Sequence, residues 1–171
     1  KLRLNNKKII RTRVLWDNII AYPSKEKFIK ETANQSINDV KRRGKFLLFD
    51  LDDYYLLSHL RMEGKYFFKI KDDDINKHEH VIFDLDDGSE LRYMDTRKFG
   101  KMYLIKKEDI DKIGPLVELG LEPWDDNLTS EYLLDRYKKK KLPIKSVLLD
   151  QSIIVGIGNI YADEILFLSK I

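Results

Sequence analysis

"KFLLFDLDDYYLLSHLRMEGKYFFKI" (residues 45–70) contains three short apolar runs separated by two polar turns. The runs 45–50, 54–60 and 65–70 are rich in Leu, Phe and Tyr, which are residue types that favour β-strands. Asp and Gly, which favour turns, lie between the runs. Such short connections join antiparallel strands, so this stretch predicts consecutive antiparallel strands of a β domain.

Runs of the same kind continue on both sides of this stretch. They are 9–15, 36–43, 79–85, 89–94 and 101–105. A short helix is predicted for 24–33, where Ser24 is a suitable N-cap. Many short strands at close spacing are typical of a β-sandwich or a barrel, so residues 1–107 are predicted to form one antiparallel β domain.

The pattern changes after residue 107. Residues 108–128 contain two glycines, two prolines and no clear apolar period, which is typical of a linker. Three helical segments are then predicted: 129–141 with Thr129 or Ser130 as N-cap, 142–150 with Pro143 near its start, and 156–171 with Asn159 as N-cap. The predicted class is therefore α+β, with the beginning of a helical domain over 129–171.

Composition excludes several kinds of site. The chain has 171 residues, a net charge of +3 and no cysteine, so it holds no disulfide, thiolate nucleophile or thiolate zinc site. No apolar run approaches the ~20 residues that span a bilayer. Basic residues are concentrated in "KRRGK" (41–45), "RMEGK" (61–65), "RKFGK" (97–101) and "RYKKKK" (136–141). These runs predict a basic face for a polyanion, although a solvated, lysine-rich surface explains the charge equally well.

Three turns share one layout, in which Arg precedes Gly and Lys follows it directly. They are "RRGKF" (42–46), "RMEGKYF" (61–67) and "RKFGKMY" (97–103). Two of them place a bulky apolar residue, Met62 or Phe99, where a turn should be polar. Taken singly, each is simplest as an ordinary hairpin turn with extended basic side chains. Together they favour nucleic-acid binding, because basic residues meet phosphates and an apolar wedge parts stacked bases.

Three further patterns are weaker. Lys45 opens an apolar strand, so partial burial is expected to lower its pKa. His78 and His80 are placed on one face of a strand, where they could bind a metal, but no third ligand is evident and a phosphate contact is favoured. "GIGNIY" (156–161) sets two glycines before a helix start. That start is either a phosphate site or a corner that requires small residues.

Five collinear blocks carry a resemblance to a known family. They are "RRGKFLLF" (42–49), "LLSHLRMEGKYF" (56–67), "ELRYMDTRKFGKM" (90–102), "LGLEPW" (119–124) and "LPIKSVLLDQSIIVGIGNIYADEILF" (142–167). The chain resembles the formamidopyrimidine-DNA glycosylases over essentially its whole length. The resemblance implies a two-sheet β-sandwich followed by a helical domain with a helix–two-turn–helix motif. It also implies a C-terminal zinc-finger hairpin in the intact protein.

The resemblance implies roles for individual residues. Lys45 matches a lysine of the β-elimination chemistry that also contacts a phosphate near the lesion. Met62 matches the residue inserted where the damaged base was, Arg97 pairs with the estranged cytosine, and Phe99 stacks beside it. Glu63 approaches the flipped base. The remaining matches are contacts to DNA and its phosphates: His59, His78, Lys140, Lys145, Asn159 and Tyr161.

The implied activity is base-excision repair. The resemblance implies a glycosylase and AP lyase that removes oxidised purines, 8-oxoguanine and formamidopyrimidines, from double-stranded DNA through a Schiff base on an N-terminal proline. We expect that proline to precede this chain and the zinc-binding cysteines to follow it, so the segment alone is expected to be inactive and to hold no cofactor. The resemblance also implies a monomer in the bacterial cytoplasm, associated with the nucleoid and not with membrane.

Three alternatives stay open. The first is a catalytically inert DNA-binding module. The second is an endonuclease-VIII-like glycosylase for oxidised pyrimidines, which shares the fold. The third is an RNA-binding or phosphate-binding β-protein.

Overall fold

The computed structural model describes residues 4–70 and 73–171, and residues 1–3 and 71–72 of the predicted β domain lie outside this part. The chain forms two compact units, one reaching to Gly114 and the other spanning Pro115–Ile171. Their boundary falls inside the segment 108–128 that the sequence indicates as a linker. The first unit contains the strands and the second contains most of the helices, so the α+β class is confirmed.

Within the described residues, ten strands form two sheets of five. The strands are β1 Lys7–Val14, β2 Ile20–Tyr22, β3 Ser36–Ile37, β4 Asp39–Arg43, β5 Phe46–Asp50, β6 Tyr54–His59, β7 Lys65–Ile70, β8 Glu79–Leu85, β9 Ser89–Met94 and β10 Lys101–Lys106. One sheet has the order β3-β1-β8-β9-β7 and the other has the order β2-β10-β6-β5-β4. The predicted sandwich is therefore present, with strands close to the predicted bounds.

Two features of the sheets differ from the prediction. The short strand β2 was not predicted, and it pairs with β10 in parallel. The predicted strand 36–43 divides at Asn38 into β3 and β4, which belong to different sheets. The corner is held by the Asp52 carboxylate, which accepts the Ser36 backbone N–H at 2.8 Å and the Asn38 side-chain amide at 3.2 Å.

The core of the first unit lies between the two sheets. It includes Ile9 and Val81 from one sheet and Leu56 and Met102 from the other, and each of these side chains is at most 2% exposed. Helix α1, Lys25–Thr32, adds the fully buried Phe28 to this core. Burial of these side chains is the main favourable contribution to folding and holds the turns at the sheet ends in place.

The predicted N-cap of α1 is confirmed. The backbone N–H of Lys27 donates to the Ser24 hydroxyl oxygen at 3.3 Å. This bond satisfies one of the N–H groups that lack a partner within the first turn of a helix.

The second unit contains three helices in its described residues: α2 Ser130–Tyr137, α3 Ile144–Leu148 and α4 Asn159–Leu168. Their core includes Val147, Ile153, Ile157 and Ala162. Thr129 caps α2 as predicted, because its hydroxyl accepts the N–H of Tyr132 at 3.1 Å.

Two of the predicted helix bounds are wrong. Helix α2 ends at Tyr137, so the lysine run that follows it is not helical and lies beyond the last turn. The N-cap of α4 is Gly158, whose backbone is extended, and Asn159 is the first helical residue. Nowhere in residues 4–70 and 73–171 is there a helix with the length and apolar character needed to cross a membrane.

Candidate nucleic-acid interface

Two turns at the sheet ends bring the predicted wedge residues together. The turn 60–64 follows β6 and carries Met62, which is 71% exposed, and the turn 95–100 follows β9 and carries Phe99, which is 49% exposed. Arg97 lies between them, with its Nη1 3.0 Å from the Met62 Sδ and its guanidinium carbon 4.7 Å from the centre of the Phe99 ring. A cation and two apolar side chains therefore form one exposed tip.

The two turns use left-handed backbone at residues that are not glycine. Arg61 has φ = 56° and Lys98 has φ = 60°. Each such conformation costs on the order of 1–3 kcal/mol, so it persists only where the surroundings impose it. Each residue directly precedes the apolar residue of its turn and therefore helps to direct that side chain outward.

The Asp95 carboxylate imposes the shape of the second turn. It is 1% exposed and accepts the backbone N–H of Arg97 at 3.0 Å, of Phe99 at 2.9 Å and of Gly100 at 2.8 Å. Burial by itself raises the pKa of Asp95, but these three donors outweigh it and hold the pKa below its usual range. The carboxylate is thus ionised at neutral pH and binds the turn from inside.

The Tyr93 hydroxyl lies beneath both turns. It is 3.3 Å from Asp95 Oδ2, and the tyrosine is fully buried. A methyl group added to either Gly64 or Gly100 would overlap this hydroxyl oxygen. Neither glycine has a positive φ, so the requirement for glycine is steric. At Gly100 it comes from the close approach of Tyr93, and at Gly64 it comes from Tyr93 together with the Leu60 carbonyl oxygen.

A cluster of Lys45, His59 and Arg61 lies at the base of the first turn. His59 Nδ1 accepts the backbone N–H of Arg61 at 3.0 Å, and the His59 ring packs edge-on against Phe46 at 4.8 Å. Burial and the positive charges of Arg61 and Lys45 lower the pKa of His59 to about 4. His59 is therefore neutral at pH 7 and carries its proton on Nε2, where it can donate to an anion.

Lys45 belongs to the same cluster and lies in the turn just before β5. Partial burial lowers its pKa although the residue as a whole is exposed, and the charge of Arg61 lowers it further. This direction agrees with the expectation from sequence. Cations that depress each other's affinity for protons are also suited to share an anion.

The predicted histidine pair does not form a site. His78 precedes β8 in a turn, and its N–H donates to Asn76 Oδ1 at 2.9 Å. His80 is buried, with Nε2 2.8 Å from the Asp95 carbonyl oxygen and its ring 5.7 Å from that of Trp16. The expectation that both lie on one strand face is therefore wrong, because β8 begins after His78. No group of three or more potential metal ligands occurs in the described part of the chain.

A buried ion network holds the loop that leads to His78. Arg92 is 1% exposed and donates to Glu90 at 2.6 Å and to Glu79 at 2.9 Å. Its Nη2 also donates to the Asp73 carbonyl oxygen at 2.8 Å, and its Nη1 donates to the Asp74 carbonyl oxygen at 3.0 Å. The predicted site residues do not include Arg92, Tyr93 or Asp95. Polar residues inside the strand-like run "ELRYMD" (90–95) are the signal that could have revealed them.

The second unit carries four of the remaining predicted residues. Lys140 pairs with Asp150 at 2.8 Å and Lys145 pairs with Asp163 at 2.6 Å, so a phosphate would exchange with these carboxylates. Asn159 and Tyr161 are exposed in the first turn of α4. Because the N-cap Gly158 offers no side-chain acceptor, the first N–H groups of α4 are available to an anion. Glu63, in the first unit, is exposed beside Met62.

Comparison with known families gives a match to each unit. Residues 1–102 match the formamidopyrimidine-DNA glycosylase N-terminal domain, and residues 119–171 match the formamidopyrimidine-DNA glycosylase H2TH domain. The chain belongs to the formamidopyrimidine-DNA glycosylase family.

Curated members of the formamidopyrimidine-DNA glycosylase family align with most of the chain. It is 48% identical over 159 residues to the enzyme of Cytobacillus firmus, covering 92% of this chain and 58% of that protein. It is 51% identical over 156 residues to the enzyme of Bacillus licheniformis, covering 90% of this chain and 56% of that protein. The chain therefore spans less than two thirds of the length of these relatives.

Solved formamidopyrimidine-DNA glycosylases have the same fold. The Lactococcus lactis enzyme, bound non-covalently to DNA containing an AP site, superposes with a TM-score of 0.92 at 34% identity, covering 100% of this chain and 64% of that one. The same enzyme in complex with a FAPY-dG containing DNA gives a TM-score of 0.86 at 36% identity, covering 99% and 64%. The described sandwich and helical unit are thus those of this family.

Proposed function

We propose that the intact protein is a base-excision repair DNA glycosylase with AP lyase activity that removes 8-oxoguanine and formamidopyrimidines from double-stranded DNA. The observation that carries the proposal is the exposed tip of Met62, Arg97 and Phe99 on a rigid, buried support. Family membership adds weight, as do the related enzymes solved with AP-site and FAPY-dG DNA.

The tip has the chemistry needed to hold a duplex open around a flipped base. An extruded base leaves a gap in the stack, and Met62 would fill it with an apolar, flexible side chain. Arg97 presents a planar set of donors to the acceptor edge of the estranged cytosine. Phe99 stacks beside that base, and base–aromatic stacking is worth about 1–3 kcal/mol.

Phosphate contacts would fix the register of the protein on DNA. In the first unit, Lys45 and neutral His59 would donate to phosphate oxygens near the lesion, with His78 further along the strand. In the second unit, the start of α4 at Asn159 and Tyr161 would bind a phosphate through backbone N–H groups, assisted by Lys145 and Lys140. Such contacts position the duplex and help it to bend without reading sequence.

The chemical steps would begin with an N-terminal proline of the intact protein, outside this chain. Its secondary amine attacks the sugar C1′, the bond from C1′ to the base breaks, and opening of the sugar ring leaves an iminium Schiff base. Loss of a C2′ proton then expels the 3′ phosphate. Lowering the pKa of a lysine increases the fraction of neutral amine that can accept such a proton, which is the role proposed for Lys45. Glu63 would approach the flipped base.

The proposal extends to the zinc ion and the setting of the intact protein. A zinc finger would hold the ion through residues outside this chain, and no step above passes through it. The protein would act as a monomer on chromosomal DNA in a bacterial cytoplasm, in keeping with the bacterial sources of its relatives.

Borohydride trapping tests the proposal. The intact protein is incubated with a duplex containing 8-oxoguanine opposite cytosine, and the same duplex with guanine is the control. A covalent adduct on the lesion strand alone is expected. Binding without excision would instead indicate an inert DNA-binding module, and faster excision of an oxidised pyrimidine would indicate an endonuclease-VIII-like enzyme. Equal binding to single-stranded RNA would favour an RNA-binding protein.

A further inference from the structure

We propose that Tyr93 is a positioning residue that, together with Asp95, makes the two exposed turns act as one wedge. The inference rests on the proposed function, because it concerns how Met62 is aligned with Arg97 and Phe99 at a lesion. Neither Tyr93 nor Asp95 reaches the exposed surface, so both would act only through the turns above them.

The Asp95 carboxylate fixes the second turn. Three successive contacts from Asp95 to the N–H groups of Arg97, Phe99 and Gly100 leave that turn little freedom to rearrange. Since Lys98 within it has a left-handed backbone, the turn is strained and depends on this carboxylate. The position of Phe99 relative to the sheet is thereby determined by a buried group.

Tyr93 links this turn to the first. The Tyr93 hydroxyl contacts Asp95 from one side and fits against the backbone of Gly64 and Gly100 from the other. Gly64 closes the first turn through its N–H, which donates to the Leu60 carbonyl oxygen at 3.0 Å. One buried oxygen atom therefore sets the distance between the two turns.

Without this support, only weak surface contacts would align Met62, Arg97 and Phe99. At the surface, Arg97 spans from Phe99 to Met62 through a ring contact and a contact to sulfur, both of which are weak interactions of exposed side chains. Groups that must meet DNA in a defined geometry need support from packed residues beneath them. Tyr93 supplies that support where the two turns approach each other.

The test compares Tyr93→Phe with Tyr66→Phe in the intact protein. Tyr66 is the partner of Tyr93 on the adjacent strand, its ring lies 5.2 Å away, and its hydroxyl donates to Ser58 at 2.9 Å. Both variants lose a hydroxyl that makes a hydrogen bond inside the sandwich, but only Tyr93→Phe removes contact with the turns. Each is measured for thermal unfolding and for affinity to undamaged duplex.

Two further readouts report the wedge itself. The first is the fluorescence of 2-aminopurine placed beside the estranged base of a duplex with a tetrahydrofuran abasic analogue, which changes when the stack is opened. The second is the single-turnover excision rate of 8-oxoguanine opposite cytosine and opposite adenine. For Tyr93→Phe we expect a smaller fluorescence change and a loss of roughly 10- to 100-fold in rate, because misplacing an active-site group by about 1 Å costs ~10²-fold. Preference for cytosine should also fall.

The controls separate this proposal from the proposed function. Tyr66→Phe should match Tyr93→Phe in unfolding and in affinity for undamaged duplex while keeping the wild-type fluorescence change and rate. Equal behaviour of the two variants in all readouts would overturn the positioning role. If the wild type opens the abasic duplex but excises nothing, the proposed function fails while the fluorescence comparison still decides the role of Tyr93. If Tyr93→Phe does not fold, Gly100→Ala, which presses on the same hydroxyl, must give the same loss of fluorescence change; a wild-type change there overturns the proposal.

Discussion

Replacing Met62 with alanine separates a wedge from a core residue. Because 71% of Met62 is exposed, folding covers only about three tenths of it. Complete burial of a methionine side chain is worth ~1.5–3 kcal/mol, so Met62→Ala should lower the free energy of unfolding by about 0.5–1 kcal/mol. Met102 is fully buried, and Met102→Ala should cost ~2–5 kcal/mol because it also leaves a cavity.

For activity we expect the reverse, so that Met62→Ala lowers the excision rate more than Met102→Ala does. In the proposed complex Met62 is buried in the DNA stack, so its truncation removes about 1–2 kcal/mol of transition-state stabilisation, which is roughly 5- to 30-fold in rate. The assay is single-turnover excision of 8-oxoguanine opposite cytosine by the intact protein, with urea unfolding of the same samples. Affinity for undamaged duplex should be unchanged.

Two results would refute the wedge interpretation of Met62. One is a loss of stability for Met62→Ala as large as that for Met102→Ala, which would make Met62 a core residue. The other is an unchanged excision rate in a folded Met62→Ala protein, which would mean that the exposed sulfur and methyl groups do not enter the stack.

Three further changes probe the cation, the histidine and the buried ion network. Arg97→Ala should reduce the preference for cytosine over adenine opposite the lesion roughly tenfold, since a bidentate contact to a base is worth ~1–3 kcal/mol; an unchanged opposite-base profile contradicts its role. The folded pKa of His59 is about 4, below the unfolded value of ~6.5, so its stabilising contribution is present above pH 6.5 and is lost as the pH falls towards 4. Between pH 6.5 and 4, His59→Gln should flatten the dependence of the unfolding free energy on pH. A profile parallel to that of the wild type would argue against the lowered pKa of His59. Arg92→Met removes the guanidinium that neutralises the buried Glu79 and should cost ~3–5 kcal/mol in urea unfolding, whereas a cost below 1 kcal/mol would mean that the network does not stabilise the fold.

Local features of the fold could be predicted from the sequence. The strands 65–70, 79–85 and 89–94 have the predicted bounds, and Ser24 and Thr129 cap the helices they precede. These features depend on interactions between residues a few positions apart, which the order of residue types records directly. The same holds for the apolar residues in basic turns, whose exposure follows from their position between strands.

Other features depend on contacts between distant segments. Nothing in the run 36–43 indicates that the chain changes sheet at Asn38, because the corner is held by Asp52 from another turn. His80 looks like a partner for His78 in sequence, yet it is buried against Trp16 and the Asp95 carbonyl group.

Most strands, the starts of α1 and α2 and the apolar residues of the two turns are specified by neighbours along the chain, so the order of residue types predicts them. The support of both turns by Tyr93 and Asp95 depends instead on contacts between distant segments. The pairing of β7 with β9 and of β6 with β10 brings Gly64 and Gly100, 36 positions apart, onto one buried hydroxyl. Such a meeting depends on the register of whole strands, which no local pattern specifies.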